Sequence, residues 1–75
     1  MKTIDIRLST IQDVQKFVNI VNRYDIDVDL SSGRYIVDAK SIMGIFSLDL
    51  LKPITVTAHT ENADALFAEL QVFAA

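Results

Sequence analysis

Cysteine is absent from this sequence of 75 residues, so neither a disulfide bond nor a thiolate zinc site stabilises the fold. No apolar run approaches the ~20 residues that a membrane-spanning helix needs, which argues against insertion into a bilayer. A Gly-rich phosphate loop, a nucleotide-binding fingerprint and a Ser-His-Asp set are also missing. We therefore expect no enzyme activity, no cofactor and no bound metal.

Basic residues are few and scattered along the chain. Seven Lys and Arg residues are outnumbered by ten Asp and Glu, giving a net charge of −3. A nucleic-acid-binding protein needs clustered cations that displace counterions from phosphates, so this charge balance argues against that class of partner. Residues 1–7 alternate between polar and apolar, and no apolar secretory segment follows them. Together with the lack of cysteine, this pattern predicts a cytoplasmic protein.

Apolar residues make up 51% of the chain, which is enough for the core of a single domain over residues 1–75. Alternation with a period of two predicts four strands. These cover residues 3–8, 25–30, 34–39 and 53–59. The tripeptide Ser31-Ser32-Gly33 predicts a tight turn that joins the second and third strands, because glycine readily adopts positive φ.

Apolar residues at helical spacing predict three amphipathic helices. Their N-terminal residues are Ser9 or Thr10, then Ser41, then Glu61 or Asn62. The expected buried stripe of the first helix is Ile11, Val14, Phe17, Val18 and Val21. That of the third helix is Ala63, Leu66, Phe67, Leu70 and Phe73.

The order of the predicted elements is βαββαβα. Each strand has one apolar face and each helix has one apolar stripe. The packing that satisfies both is an α+β open-faced two-layer sandwich, with a four-stranded antiparallel sheet and all three helices on one face. The fourth strand then runs antiparallel to the first, and the right-handed crossover from the first strand to the second can straddle another strand.

The most specific motif in the chain is VDAKSIMG, at residues 37–44. A strand ends in a small residue, Lys-Ser opens the second helix, and two apolar residues follow. With this motif at this element boundary, the chain resembles the HPr family of the sugar phosphotransferase system along essentially its whole length. The resemblance implies the HPr fold and protein partners from that system or from carbon regulation.

The resemblance places Thr10 where the family carries its phosphorylated histidine. Gln12 falls where an arginine usually steadies the phosphoryl group, and Asp13 where a proline often follows. A neutral imidazole attacks phosphorus near pH 7 and forms a labile bond, whereas a threonine hydroxyl is a poor nucleophile whose phosphoester retains the group. His59 is expected at the far end of the sheet, exposed and without a special role. The resemblance therefore implies a scaffold without the family's catalytic residue, in which Thr10 is a helix cap.

Acidic residues alternate with the apolar residues of the second strand. Four carboxylates should share or adjoin the outer face of the sheet there: Asp25, Asp27, Asp29 and Asp38. Successive carboxylates on one face of a strand lie about 6.6 Å apart, which is too wide for shared coordination of a metal. We expect a solvated face whose charge is balanced by Arg7 and Arg34.

Ser41 matches, in the resemblance, the serine that a dedicated kinase phosphorylates in many family members. A phosphate at a helix N-terminus meets free N–H groups and the positive end of the helix dipole, and Lys40 is adjacent. An ordinary N-cap explains the same residue. Both interpretations of Ser41, a cap alone and a cap controlled by phosphorylation, stay open.

The second helix, over residues 42–48, is too apolar to bury all its side chains against one sheet. We expect Ile45, Leu48 and Leu51 on the core side of this segment. The solvent side then contains Ile42, Met43 and Phe46, which with Lys40 form the expected docking surface for a protein partner.

Three functional hypotheses follow from these residues. The first is a non-catalytic HPr-like module that binds protein partners through the second helix and is controlled at Ser41. The second is a working phosphocarrier in sugar uptake. The third is a structural domain that self-associates, as a weak homodimer, through Ile42, Met43 and Phe46.

Overall fold

The computed structural model describes all 75 residues and contains four strands, three α-helices and a short terminal 3-10 helix. In chain order these are β1 (Lys2–Ile6), α1 (Ile11–Asn22), β2 (Val28–Ser32), β3 (Tyr35–Asp38), α2 (Ile42–Phe46), β4 (Ile54–Ala58), α3 (Asp64–Leu70) and η1 (Gln71–Phe73). The order matches the sequence prediction. None of the helices has both the length and the apolar character needed to cross a bilayer.

The strands form one sheet in the order β1-β4-β2-β3, and every neighbouring pair is antiparallel. β4 runs between β1 and β2, from Ile54 opposite Ile6 to Ala58 opposite Lys2. β1 and β2 are therefore parallel to each other with β4 between them, and α1 is the crossover that straddles β4. This arrangement confirms the predicted antiparallel sheet and the predicted direction of the fourth strand.

The core lies between the inner face of the sheet and the helices. It is one cluster of 19 buried residues, all of them apolar, and no polar side chain is buried with them. β4 is the central contributor, since Ile54, Val56 and Ala58 are fully buried while Thr55 and Thr57 point to the other face. The Phe17 and Phe73 rings meet edge to face with their centroids 6.2 Å apart, which joins α1 to the C-terminal segment.

The helix α1 buries a wider arc than the sequence predicted. Val14, Phe17, Val18 and Val21 are buried as expected, and Ile20 is buried as well. The reason is that α1 packs against both α2 and α3, while its buried residues belong to the same core cluster as those of the sheet. The prediction for Ile11 was wrong: this side chain, at the first position of the helix, is exposed.

The chain after β1 pairs with the C-terminal segment rather than with β4. β1 ends at Ile6, two residues earlier than predicted, although Leu8 is buried as expected. The Arg7 N–H donates to the Phe73 carbonyl at 2.8 Å, and Ile6 forms an isolated antiparallel bridge with Ala74. The C-terminal residues therefore line the outer edge of β1 at its Ile6 end.

Two loop regions also differ from the predictions. α3 begins at Asp64 rather than near residue 61, since the Thr60 hydroxyl accepts a hydrogen bond from the Asn62 N–H at 3.2 Å and holds this segment in a turn. Leu51 was expected in the core, but it is 86% exposed and Leu50 packs against the core instead. α2 has already ended at Phe46, so helical spacing no longer applies there.

Candidate functional site

The start of α1 is a capping turn made by Thr10 and Asp13. Thr10 has extended backbone angles, and its Oγ1 accepts a hydrogen bond from the Asp13 N–H at 3.0 Å. The Asp13 carboxylate returns to accept from the Ser9 N–H at 3.1 Å. Thr10 is thus the cap. The Asp13 carboxylate bonds to the N–H of Ser9, one residue before the cap, whereas in an ideal capping box it would bond to the N–H of the cap residue itself. Gln12 is exposed in the same turn.

A shallow cavity of about 320 Å³ lies beside this turn. Its polar lining consists of Arg7, Ser9, Asp13 and Lys16, and residues of the C-terminal segment complete it. Neither Arg7 nor Lys16 forms an ion pair within the chain. Sequence reasoning missed this pair of cations. The sequence relates them to the start of α1 only by their places in the chain. Arg7 follows the last residue of β1, and Lys16 lies one turn of helix beyond Asp13.

The single histidine lies at the opposite end of β4 from Thr10. Its Nε2 lies 2.7 Å from the Asp29 Oδ2, and its backbone N–H donates to the Asp27 carbonyl at 2.9 Å. β1 ends at Ile6, which pairs with the first residue of β4, and the chain reaches the α1 cap at Thr10 four residues later, whereas His59 follows the last residue of β4. The length of β4, about 13 Å, separates the two ends. His59 is exposed as predicted, but it has a carboxylate partner.

The acidic residues of β2 and β3 line an open cavity of about 530 Å³ around His59. Asp29 lies opposite Asp38 in the β2–β3 register, and Asp27 and Lys40 complete the charged lining. The predicted balance by Arg7 and Arg34 was wrong. Arg7 lines the cavity beside α1 and Arg34 lies by the hairpin turn, so His59 and Lys40 are the basic side chains that share this cavity with the carboxylates. No group of three or more His, Asp or Glu residues is arranged to hold a metal.

Ser41 is the N-cap of α2, as predicted. Its Oγ accepts a hydrogen bond from the Gly44 N–H at 3.2 Å, and its own N–H donates to the Asp38 carbonyl at 3.0 Å. Lys40 is half-buried, and its Nζ donates to the Tyr24 carbonyl at 3.1 Å. The ammonium of Lys40 is therefore directed to the end of α1, and the Ser41 side chain stays exposed to solvent.

The predicted docking surface on α2 is only partly exposed. Met43 is 77% exposed and Phe46 is 41% exposed, whereas Ile45 is fully buried. Leu48 is buried as well, as predicted. The prediction for Ile42 was wrong, since this side chain is half-buried against the core rather than open to solvent. Ile42 is the first residue of the helix and follows the buried Ala39 closely in the chain.

A polar contact between α1 and α3 was not predicted. The hydroxyl of Tyr24 donates to the Glu69 carboxylate, which also forms an ion pair with Arg23. The hydrogen bond from Tyr24 is the main cause that lowers the pKa of Glu69, and Arg23 adds to it. The same hydrogen bond, and then desolvation, raises the pKa of Tyr24. Tyr24 and Glu69 are 45 positions apart in the chain, so no local pattern could have indicated the contact.

The family of this chain follows from a comparison with family sequence models. The model described as the PTS HPr component phosphorylation site matches residues 12–75. The chain belongs to the HPr family. Members of this family are phosphocarriers of the phosphotransferase system rather than enzymes, so the chain is a phosphocarrier-like protein. The match begins at Gln12, two residues after Thr10, and contains Ser41 and all of α2.

Solved structures place the HPr fold on the whole chain. HPr-C-His from Thermoanaerobacter tengcongensis superposes with a TM-score of 0.79 at 22% identity, covering 93% of this chain and 86% of that one. The phosphocarrier protein HPr from Bacillus anthracis gives 0.74 at 25% identity, covering 99% and 96%. The catabolite repression protein Crh from Bacillus subtilis, described as a swapped, intertwined dimer, gives 0.67 at 30% identity, covering 87% and 77%. No curated protein matches.

Proposed function

We propose that residues 1–75 form a single, non-catalytic HPr-like domain that acts in the cytoplasm by binding protein partners through α2. The observation that carries the proposal is the use of Thr10. Its oxygen caps α1, and the neighbouring carboxylate of Asp13 occupies the same turn. This turn satisfies the Asp13 N–H from within the chain, and it contains no imidazole that could accept a phosphoryl group.

The chemistry of the two possible phosphoryl acceptors supports this proposal. An alcohol needs a general base before it attacks phosphorus, and its phosphoester is too stable to pass the group onward. The carboxylate near Thr10 belongs to Asp13, but it already accepts the Ser9 N–H. His59 has the right chemistry, but it lies at the other end of β4 and faces Asp29.

The alternative function, a phosphocarrier in sugar uptake, has one observation in its favour. Arg7 and Lys16 line the cavity beside the start of α1, and neither is neutralised by an ion pair. Two free cations next to a helix N-terminus are a favourable environment for a phosphate group. The carrier hypothesis therefore has a plausible anion site but lacks the nucleophile.

The exposed apolar residues of α2 support its role as the docking surface. Met43 and Phe46 present apolar area to solvent next to Ser41. Methionine adapts its shape to a partner at little cost, and contiguous exposed apolar surface commonly marks an interface. We propose partners among the phosphotransferase-system and carbon-regulation proteins. Self-association through α2 is less well supported, because Ile42 is half-buried.

Phosphorylation of Ser41 is the proposed control of this surface. Its side chain is exposed, and it already accepts the Gly44 N–H, so a phosphate oxygen can keep that role. The added charge would lie beside Met43 and would change which partners bind α2. Lys40 would have to leave the Tyr24 carbonyl to reach the phosphate.

Phosphoenolpyruvate and the general phosphotransferase of the system test the carrier function. After incubation, intact mass measured at neutral pH should show no added phosphoryl group, while a histidine-containing HPr in the same reaction is labelled. An acid-labile phosphoryl group on this chain would contradict the proposal, and its loss in His59→Ala or Thr10→Ala would identify the acceptor.

ATP and an HPr kinase test the control at Ser41 and the docking surface together. We expect one phosphoryl group on the wild type and none on Ser41→Ala. Met43→Lys should lower kcat/KM for the kinase, whereas Leu51→Lys, equally exposed but outside α2, should not. An unlabelled wild type, or label that survives Ser41→Ala, would remove phosphorylation of Ser41 from the proposal. Equal kcat/KM for the two lysine variants would remove α2 as the kinase-docking surface.

A further inference from the structure

The two outer edges of the sheet differ. At the β1 edge, the Phe73 carbonyl accepts from Arg7, the Asp5 carbonyl accepts from the Ala75 N–H at 3.3 Å, and Ala74 bridges Ile6. The β3 edge has no strand beyond it. An edge strand with unsatisfied peptide groups is a template on which another strand can pair. The C-terminal segment thus covers the Asp5–Arg7 end of the β1 edge, whereas β3 has no paired segment along its outer side, so the β3 edge is the more open template for extending the sheet.

The backbone of β3 determines which peptide groups face outward. Ser32 lies opposite Tyr35 across the two-residue turn, and the Ala39 N–H donates to the Val28 carbonyl at 2.9 Å. Because alternate residues of a strand direct their peptide groups to the same side, the odd-numbered residues of β3 bond to β2. The N–H and C=O groups of Ile36, and the N–H of Asp38, therefore point away from the sheet.

The alternation of inward and outward peptide groups restricts how a second copy of β3 can pair with the first. The outward groups are the N–H and C=O of Ile36, the N–H of Asp38 and the carbonyl of Arg34 in the turn before β3, and only antiparallel pairing centred on Ile36 brings all of them into register. Ile36 then lies opposite Ile36 of the second copy, and Arg34 lies opposite Asp38 on both sides of the centre. In this pairing the Asp38 N–H donates to the facing Arg34 carbonyl.

The side chains of the edge agree with this register. Ile36 is 69% exposed and Tyr35 is exposed beside it, which is an unusual amount of apolar surface for an open edge strand. Arg34 forms no ion pair within the chain. Asp38 uses one carboxylate oxygen to accept the Lys40 N–H at 2.9 Å and keeps the other. The edge is thus complementary in charge to itself.

We propose that β3 is the dimer interface of this protein. It pairs antiparallel with β3 of a second copy, and the two-fold axis passes between the two Ile36 residues. The two four-stranded sheets become one continuous sheet, and both helical layers lie on the same face of it. A second copy is the favoured occupant because one strand supplies both halves of the Arg34–Asp38 pair. This interface goes beyond the proposed function and does not depend on it.

Sedimentation equilibrium over a wide concentration range tests the dimer. The wild type should shift from monomer to dimer as its concentration rises. Ile36→Lys places two like charges across the axis and should weaken dimerisation about tenfold or more. Val72→Lys is the matched control, since Val72 is 73% exposed and lies outside the β3 edge. It should dimerise like the wild type, and circular dichroism should show that both variants are folded.

A charge exchange tests the register itself. Arg34→Glu alone and Asp38→Lys alone each set like charges opposite one another at both ends of the interface, so each should be more monomeric than the wild type. Mixed together, they should form heterodimers, because every facing pair is then of opposite sign. Hydrogen exchange supplies a second measurement, in which the Ile36 amide should become protected as the wild-type concentration rises.

Several outcomes would overturn the proposal. A wild type that stays monomeric up to about 1 mM excludes an interface of useful affinity. A dimer that Ile36→Lys leaves intact belongs to another surface or to strand exchange. A mixture of the two charge variants that stays monomeric refutes the register. Met43→Lys should leave the dimer unchanged, so a failed β3 interface and a failed α2 docking surface give different results.

Discussion

The substitution Thr10→Ala isolates the contribution of one helix cap. Thr10 is exposed, so its truncation creates no cavity and uncovers little apolar surface. The substitution removes the hydrogen bond from the Asp13 N–H to the Thr10 Oγ1, which is 3.0 Å long. Replacing a threonine N-cap by alanine typically costs about 1 kcal/mol, within a range of about 0.5–2 kcal/mol. The structure therefore predicts a decrease of about 1 kcal/mol in the free energy of unfolding.

The assay is thermal and urea unfolding followed by circular dichroism. In a chain of this size, a decrease of about 1 kcal/mol lowers Tm by roughly 4–8 °C. Thr10→Ser keeps the acceptor oxygen and should stay close to the wild type. Gln12→Ala, an exposed change in the same turn, should alter the free energy of unfolding by no more than about 0.5 kcal/mol.

Two results would refute the reasoning about Thr10. One is a Thr10→Ala variant with the stability of the wild type, which would mean that the cap contributes nothing. The other is a Thr10→Ser variant that is destabilised as much as Thr10→Ala, which would point to the methyl group rather than the oxygen. Either result would weaken the proposal that Thr10 has a capping role in place of a chemical one.

Two further predictions concern the contact between Tyr24 and Glu69 at the end of α1 and the glycine in the middle of α2. The lowered pKa of Glu69 and the raised pKa of Tyr24 mean that their contact stabilises the fold at neutral pH, and that this contribution disappears as pH falls through the pKa of Glu69 or rises through that of Tyr24. Urea unfolding between about pH 3 and 7 should therefore be less pH-dependent in Glu69→Gln, and an unchanged slope would contradict this. Gly44→Ala should not give the gain of about 1 kcal/mol expected in a helix, because the added Cβ would lie 3.2 Å from both the Val37 Cβ and the Ser41 Oγ. A clear rise in Tm would show that these neighbours move aside freely.

The sequence predicted the sheet and the helices well because each element carries its own apolar periodicity. β4 is the clearest case, with Ile54, Val56 and Ala58 buried in strict alternation. The caps at Thr10 and Ser41 were also predictable, because a cap depends on residues within one turn of it. Local patterns of this kind need no knowledge of the rest of the chain.

The errors arose where distant segments decide the outcome. Ile20 is buried because α1 has helices on both sides, and no periodicity within α1 gives that information. Ile42 fits the pattern of an exposed residue, but the entry of the chain into α2 turns it toward the core. The same limit applies to Arg7, which follows β1 in sequence but meets the C-terminal segment in space.

The residues of the candidate site also fall into those that the sequence predicted and those that depend on distant segments. Thr10 and Ser41 could be located from element boundaries, where both are N-caps in the structure, whereas Gln12 was located only through the family resemblance. The pairing of His59 with Asp29 and the cations beside α1 could not, because each joins elements that are far apart in sequence. Charge balance inferred from composition assigned partners to the wrong arginines for this reason.

The C-terminal residues that line β1 have a consequence for how far assembly can proceed. A protein that pairs through one sheet edge alone forms a dimer, and the dimer has no second edge of that kind through which it could grow. Removal of Ala74 and Ala75 would break the Ile6–Ala74 bridge and free the Asp5 carbonyl, so another strand could pair along more of the outer edge of β1. Molecules that pair through both sheet edges add to one another in an open row, which is the geometry of a growing fibre. Ala74 and Ala75 therefore shorten the part of the β1 edge on which a further strand can pair.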